Sequence, residues 1–160
     1  MTNLYIKDVS GKYRPADRSV IIATARDRIA QIFERGPELT MPSAAKEYIQ
    51  MELVEERNEV FACLFLDNSH RVIRFQKLFQ GTIDGTAVYP RVVVQRVLEH
   101  NAAAVIFAHN HPSGRTDPSP ADRAITQKLI EALKVFDIRV LDHLVVGGNA
   151  VCSFAEKGLI

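Results

Sequence analysis

The segment Val60-Phe61-Ala62-Cys63-Leu64-Phe65-Leu66 is apolar on both of its alternating faces and stops at Asp67-Asn68-Ser69. A strand with no polar side must be covered on both faces, so this pattern specifies the centre of a sheet. Residues 71–79 return from the turn as a hairpin partner, and Gly81 and Gly85 let the chain change direction before the next element.

Helices are read from 3.6-residue spacing on either side of this sheet. Residues 17–34 place Ile21, Ile22, Ala25, Ile29 and Ile32 on one stripe, with Asp17 as N-cap and Gly36-Pro37 as a stop. A second helix begins after Thr40 with Pro42 in its first turn, carries Ala45, Tyr48, Ile49 and Leu53 on its apolar side, and ends in a polar stretch from Glu52 to Glu59. A third fits residues 91–100, entered through Pro90. Residues 103–108 then form a short buried strand, residues 110–118 a loop, and residues 120–135 a helix with Ile125, Leu129, Leu133 and Phe136 inward. Residues 138–146 are a strand ending at Gly147-Gly148, and residues 150–154 a short last one. Alternating strands and helices give an α/β (α+β sandwich) class with a mixed central sheet flanked by helices.

Composition narrows the partners. With 160 residues, 47% hydrophobic and 24% charged, the chain suits one soluble globular domain. Twenty basic against nineteen acidic residues give a net charge of +1, which leaves no overall electrostatic case for binding DNA or a membrane surface. Cys63 and Cys152 are far apart without CxxC spacing, so a disulfide framework and a thiolate zinc knuckle are not indicated and the chain reads as cytoplasmic. Cys63, alternating with phenylalanines, reads as a buried small hydrophobe. No apolar run approaches the ~18 residues of a membrane helix, and the first residues lack signal-peptide character.

Polar residues concentrate in Ala108-His109-Asn110-His111-Pro112-Ser113-Gly114-Arg115-Thr116-Asp117-Pro118-Ser119-Pro120-Ala121-Asp122. His109 and His111 continue the row of Val105 and Phe107, so both imidazoles leave the strand's end on one side. Asp122 lies three residues before Ile125 and seven before Leu129, which puts its carboxylate on the helix face turned to the sheet. Burying that carboxylate unpaired would cost several kcal/mol, whereas a divalent cation shared with two neutral imidazoles would compensate it. Such a set leaves a fourth place open, the pattern of a catalytic zinc whose water has a pKa of about 7. Each piece also has an ordinary reading: Ser119-Pro120-Ala121-Asp122 is a helix start closed by a capping box, and a His-x-His pair at a strand end can be solvated or hydrogen-bonded. Capping and metal binding can coexist, because an N-cap serine can bond the backbone while its hydroxyl faces the reacting centre.

His109-x-His111, seven residues, Ser119, two residues and Asp122 together resemble the JAMM motif of MPN (JAB1-type) metalloprotease domains. The string His109-Asn110-His111-Pro112-Ser113-Gly114 and the later Asp142-His143-Leu144-Val145-Val146-Gly147 resemble the RadC family within that fold, as do Phe79-Gln80-Gly81-Thr82 and Tyr89-Pro90-Arg91. The likeness spans residues 40–160 and implies a cytidine-deaminase-like/MPN fold, with residues 1–39 as an N-terminal helical extension. It further implies that His109, His111 and Asp122 bind one Zn²⁺, favoured over Fe²⁺ or Mn²⁺, that Ser119 stabilises an oxyanion, and that an upstream glutamate is the general acid/base. Glu52, Glu55 and Glu56 sit near a helix end where a solvated face is expected. Glu59 fits best, starting the central strand in register with Phe61, Cys63 and Phe65, while Glu56 replaces it if the strand starts earlier.

The implied activity is that of a zinc-dependent metallohydrolase, a peptidase or isopeptidase acting on a peptide or protein substrate. Two alternatives are a DNA repair or recombination accessory protein with a non-catalytic metal site, and a protein-interaction scaffold. Full-length RadC relatives carry a helix-hairpin-helix region associated with DNA contact, whose Gly-rich hairpins are not seen here. The chain resembles the short RadC-like proteins of prophages and mobile elements. Asp142-His143 reads as structural or as a hydrogen-bonding support for the metal ligands, while His70 and His100 read as exposed.

Overall fold

The computed structural model describes residues 4–7, 9–34, 42–82 and 85–160. The expected stop at Gly36-Pro37 and the residue Thr40 lie outside these, as does the side chain of Ile32. The chain opens with two three-residue strands, β1 (Tyr5–Lys7) and β2 (Tyr13–Pro15), paired antiparallel. Helix α1 (Arg18–Glu34) follows. This corrects the reading of the first 40 residues as helix alone, because strands of three residues are too short for alternation to register.

The remaining elements are α2 (Pro42–Leu53), β3 (Val60–Leu66), β4 (Val72–Gln80), α3 (Pro90–Glu99), β5 (Ala104–Asn110), α4 (Pro120–Lys134), β6 (Arg139–Gly147) and β7 (Ala150–Ser153). The strands β3 to β7 form one mixed sheet in the order β4-β3-β5-β6-β7, with β5 and β6 parallel and the other neighbours antiparallel. Among the described residues, no helix is long and apolar enough to cross a membrane.

Alternation along the central strands divides the interior in two. Ala62, Leu64 and Leu66 of β3 and Ala104, Ile106 and Ala108 of β5 pack against Ala45, Ile49 and Leu53 of α2. Phe61, Cys63 and Phe65 of β3 and Val105 and Phe107 of β5 pack instead against Val93 and Val97 of α3 and Leu129 and Leu133 of α4. Every residue of β3 and β5 is buried, as a strand covered on both sides requires. Each large side chain buried this way stabilises the fold by about 1.5 to 3 kcal/mol. Because β5 runs two residues beyond the expected end, the row Val105, Phe107 continues to His109 on the α4 face.

Three surface expectations are corrected. Helix α4 ends at Lys134 and Asp137 turns the chain at a φ of 56°, so Phe136 is 47% exposed rather than inward. His100 is not free in solvent: its Nε2 lies 3.2 Å from Gln76 Oε1 and its ring 4.5 Å from that of Phe65. His70 is half-buried in the β3–β4 turn, at a φ of 60°.

Gly147 closes β6 where the loop after β5 crosses it. A Cβ there would stand 2.5 Å from the Gly114 carbonyl oxygen and 2.8 Å from that of Arg115. Both obstacles are backbone and cannot turn aside. Gly147→Ala is therefore expected to destabilise the protein by about 1 to 3 kcal/mol in urea unfolding; an unchanged midpoint would contradict this close approach.

Candidate metal centre

Three elements bring the polar residues together. Strand β5 delivers His109, the loop beyond it delivers His111, and the first turn of α4 delivers Asp122. His111 is seated by its backbone N–H, which donates to Val146 O at 2.8 Å and continues the parallel pairing past the end of β5. Asp122 is held by a capping box: the Ser119 N–H and hydroxyl both donate to Asp122 Oδ2 at 2.7 Å, and Asp122 N–H returns to Ser119 Oγ at 3.1 Å. The other carboxylate oxygen, Oδ1, lies 3.5 Å from His109 Nε2, while Oδ2 lies 3.6 Å from His111 Nε2. The two Nε2 atoms are 3.0 Å apart.

These separations suit a shared cation. Ligands bound tetrahedrally at 2.0 to 2.2 Å stand roughly 3.3 to 3.6 Å from one another. Each imidazole stands at or within the edge of that range from one carboxylate oxygen, His109 from Oδ1 and His111 from Oδ2, so gathering around one cation takes a turn of the carboxylate and a parting of the imidazoles by a few tenths of an ångström. One ligand atom from each of the three residues lies within 4.8 Å of the others.

The hydrogen bonds behind the ligands decide which nitrogens face inward. His111 Nδ1 lies 2.9 Å from the Arg115 carbonyl oxygen, a pure acceptor, so Nδ1 carries a proton and, in the neutral ring, Nε2 presents its lone pair. The Thr126 hydroxyl donates its single proton to Asp122 O at 2.5 Å and so receives one from His143 Nδ1 at 2.6 Å. That leaves His143 Nε2 as an acceptor for His109 Nδ1–H at 2.9 Å, and His109 Nε2 presents its lone pair as well. With both rings neutral, two imidazole lone pairs and a carboxylate converge on one point, a place for a single positive charge, whether a proton or a cation.

Electrostatics point the same way. Burial opposes charge on Asp122, but the facing imidazoles of His109 and His111 and the Ser119 hydroxyl outweigh it and hold the carboxyl far below the usual carboxylate range. Asp122 in turn raises the affinity of His111 for a proton, against the opposing effect of burial. A divalent cation would take the place of that proton. His143 is fully buried, stacked on Phe154 at 4.7 Å and edged by Phe61 and Phe107, and its burial drives its pKa well below the ordinary value. It is therefore neutral, as the relay through its ring demands.

A cavity of about 550 Å³ opens over the trio, and Glu59, Phe61 and Ser119 line it with them. Glu59 stands one residue before β3 rather than in it, yet its N–H donates to Thr82 O at 2.9 Å and its C=O accepts from Gly81 N–H at 2.8 Å, so the pairing toward β4 continues through it. The other glutamates are engaged elsewhere. Glu56 pairs with Lys77 at 2.6 Å and lines a different pocket, while Glu52 and Glu55 face Arg26 at 3.9 and 4.0 Å. In this arrangement the Ser119 hydroxyl proton is committed to Asp122, so donation to a substrate oxygen requires it to leave that carboxylate.

Sequence reasoning named His109, His111, Asp122, Ser119 and Glu59, and the structure brings all five to one cavity. It did not find Thr126 or the Arg115 carbonyl. Thr126 left a readable signal: it follows Asp122 by four residues and is a polar side chain in a helix otherwise buried through leucines. Asp142, beside His143, has a separate task, accepting from the Ser153 hydroxyl at 2.6 Å and from Ala155 N–H at 3.0 Å to hold the turn after β7.

Known proteins resemble this chain in sequence. A family model described as the RadC-like JAB domain matches residues 39–159. A UPF0758 protein of Thioalkalivibrio sulfidiphilus is 52% identical over 151 residues, covering 94% of this chain and 66% of the relative. One from Alcanivorax borkumensis is 53% identical over 148 residues, covering 91% and 66%. One from Nitrosococcus oceani is 55% identical over 135 residues, covering 84% of this chain and 60% of its own length. The chain thus spans about two thirds of the length of these relatives or less. On the extent of the model match and the identity to these relatives, with a mixed sheet and a His-His-Asp group that fit a metal-dependent JAMM-like domain, the chain belongs to the RadC-like JAB domain family.

Proposed function

We propose that this chain is a zinc-dependent hydrolase of amide bonds, a peptidase or isopeptidase, with His109, His111 and Asp122 as the metal ligands. The observation that carries this reading is the convergence of His109 Nε2, His111 Nε2 and the Asp122 carboxylate under a cavity that Glu59 also lines. A divalent cation held there would supply Lewis acidity, polarising a carbonyl and acidifying a water. Zinc suits an imidazole and carboxylate set with an open position.

The residues of the chain divide the rest of the work. The Glu59 carboxylate takes a proton from the attacking water as the water oxygen bonds to the carbonyl carbon. It returns that proton to the amide nitrogen as the C–N bond breaks, so one amide and one water become a carboxylic acid and an amine. Ser119, released from Asp122, donates to the oxygen that turns negative, a contribution of the kind worth roughly 2.7 to 4 kcal/mol. Phe61, Val88 and Ile125 give the cavity apolar walls suited to peptide side chains. The catalytic domain is residues 40–160, one residue offset from the family match at 39–159, with residues 1–39 as an extension, and the buried free thiols of Cys63 and Cys152 suit a reducing compartment such as the cytoplasm.

The test compares wild type, His109→Ala and Glu59→Gln by elemental analysis and by mass-spectrometric survey of a random octapeptide library. The expected outcome is one zinc per chain in wild type and Glu59→Gln and none in His109→Ala, with cleavage by wild type, none by His109→Ala and a rate about 10² to 10⁴-fold lower in Glu59→Gln. Cleavage by Glu59→Gln at the wild-type rate, or zinc-loaded wild type that cleaves no amide, would overturn the proposal.

His143 acts on the ligand His109 through its ring and not on the cation. Metal-affinity titration of His143→Ala is expected to show a loss of about 10 to 100-fold. Affinity equal to wild type would mean that the relay from Thr126 does not set the His109 tautomer.

A further inference from the structure

Asn110 stands between the two histidines and points the other way. Alternation along β5 sends His109 to the cavity face and Asn110 to the face of Ala108, against α2. There it is 4% exposed, and its amide is spent on one segment of chain, the link between α2 and β3. Asn110 Oδ1 accepts from Val60 N–H at 2.8 Å, and Nδ2 donates to Asn58 O at 3.0 Å and to Glu56 O at 3.3 Å. One N–H and two carbonyls fix the amide's orientation without ambiguity.

Residues 56–59 form no helix or strand, so this amide and the segment beyond β4 set where they run. On that second side, Glu59 N–H donates to Thr82 O at 2.9 Å, and Glu59 O accepts from Gly81 N–H and from the Thr86 hydroxyl, both at 2.8 Å. Asn58 and Val60 are thus tied to the strand that bears His109, and Glu59 between them is tied to Gly81, Thr82 and Thr86. The Glu59 backbone is thus held on both sides, and Glu59 lines the cavity.

We infer that Asn110 is a positioning residue: it couples the strand bearing a metal ligand to the segment bearing the proton carrier, and so sets the Glu59 carboxylate at its working distance from the metal centre. The inference rests on the assignment of Glu59 made above. A displacement of about 1 Å at such a group is enough to lower turnover about 100-fold while binding is untouched. An apolar residue would fill the same space but would leave the N–H of Val60 and two carbonyls without partners.

The test is a double-mutant cycle of Asn110→Ala and Glu59→Gln in the zinc-loaded chain, with hydrogen exchange read on the same samples. Asn110→Ala is expected to lower kcat on a peptide cleaved by wild type about 100-fold, with KM and the single zinc unchanged, and to cause no further loss in the Glu59→Gln background. Exchange at the amides of Glu59 and Val60 is expected to rise at least about tenfold, while β5 and β6 keep wild-type protection. Asn110→Asp, which retains the side chain's shape and its acceptor for Val60 N–H, is expected to behave in the same way if Asn110→Ala fails to fold. An equal loss in both backgrounds, zinc lost in step with kcat, or exchange rising uniformly over the sheet would overturn the inference. Wild type that cleaves no amide would remove the hydrolase assignment, and the exchange pattern would then decide the coupling by itself.

Discussion

Two imidazole lone pairs 3.0 Å apart, beside a mostly buried carboxylate, repel one another unless a positive charge lies among them. The surrounding structure works to preserve that arrangement. The Arg115 carbonyl and the His143 ring each claim the outer proton of one histidine, and Thr126 sets the direction of the chain from behind. Without these partners either imidazole could turn its own N–H inward and relieve the conflict. The outer hydrogen bonds therefore maintain a local destabilisation that a cation relieves, which is how a fold specifies a site for a metal.

The same economy is visible at the start of α4. Asp122 Oδ2 accepts two hydrogen bonds from Ser119, which cap the helix, while Oδ1 faces His109. The helix terminus and the centre share one carboxylate, so the direction of α4 and the place of the proposed third ligand are one structural fact. Gly147 adds a steric condition, since only a residue without Cβ lets the loop of Gly114 and Arg115 lie against β6 and bring the Arg115 carbonyl to His111.

Much of this was legible from residue order because it rests on periodicity and spacing. The uniformly apolar β3 required layers on both sides, and the two-residue step from His109 to His111 placed both imidazoles at a strand's end. The capping box at Ser119 was equally plain, and so was its compatibility with a ligand role for Asp122. What could not be read depended on contacts between distant segments or on elements too short to repeat. His143 in an apolar run reads the same whether it satisfies a core or orients a ligand, and only the 2.9 Å approach to His109 separates the two. Glu56 and Glu59 were separated by Lys77, which draws Glu56 away, a partner 21 residues further along the chain. The β1–β2 ribbon escaped notice because three residues carry no period, and Phe136 was misplaced because helix ends obey local turns more than hydrophobicity.

In the proposed centre, three side chains grip a single divalent cation directly. X-ray absorption at the zinc edge, taken on zinc-loaded protein in solution, addresses it without reference to any substrate. Binding by His109, His111 and Asp122 gives nearest neighbours of nitrogen and oxygen alone at about 2.0 to 2.2 Å, with the outer scattering of two imidazole rings. A sulfur shell at about 2.3 Å, or scattering from one imidazole or none, would contradict it.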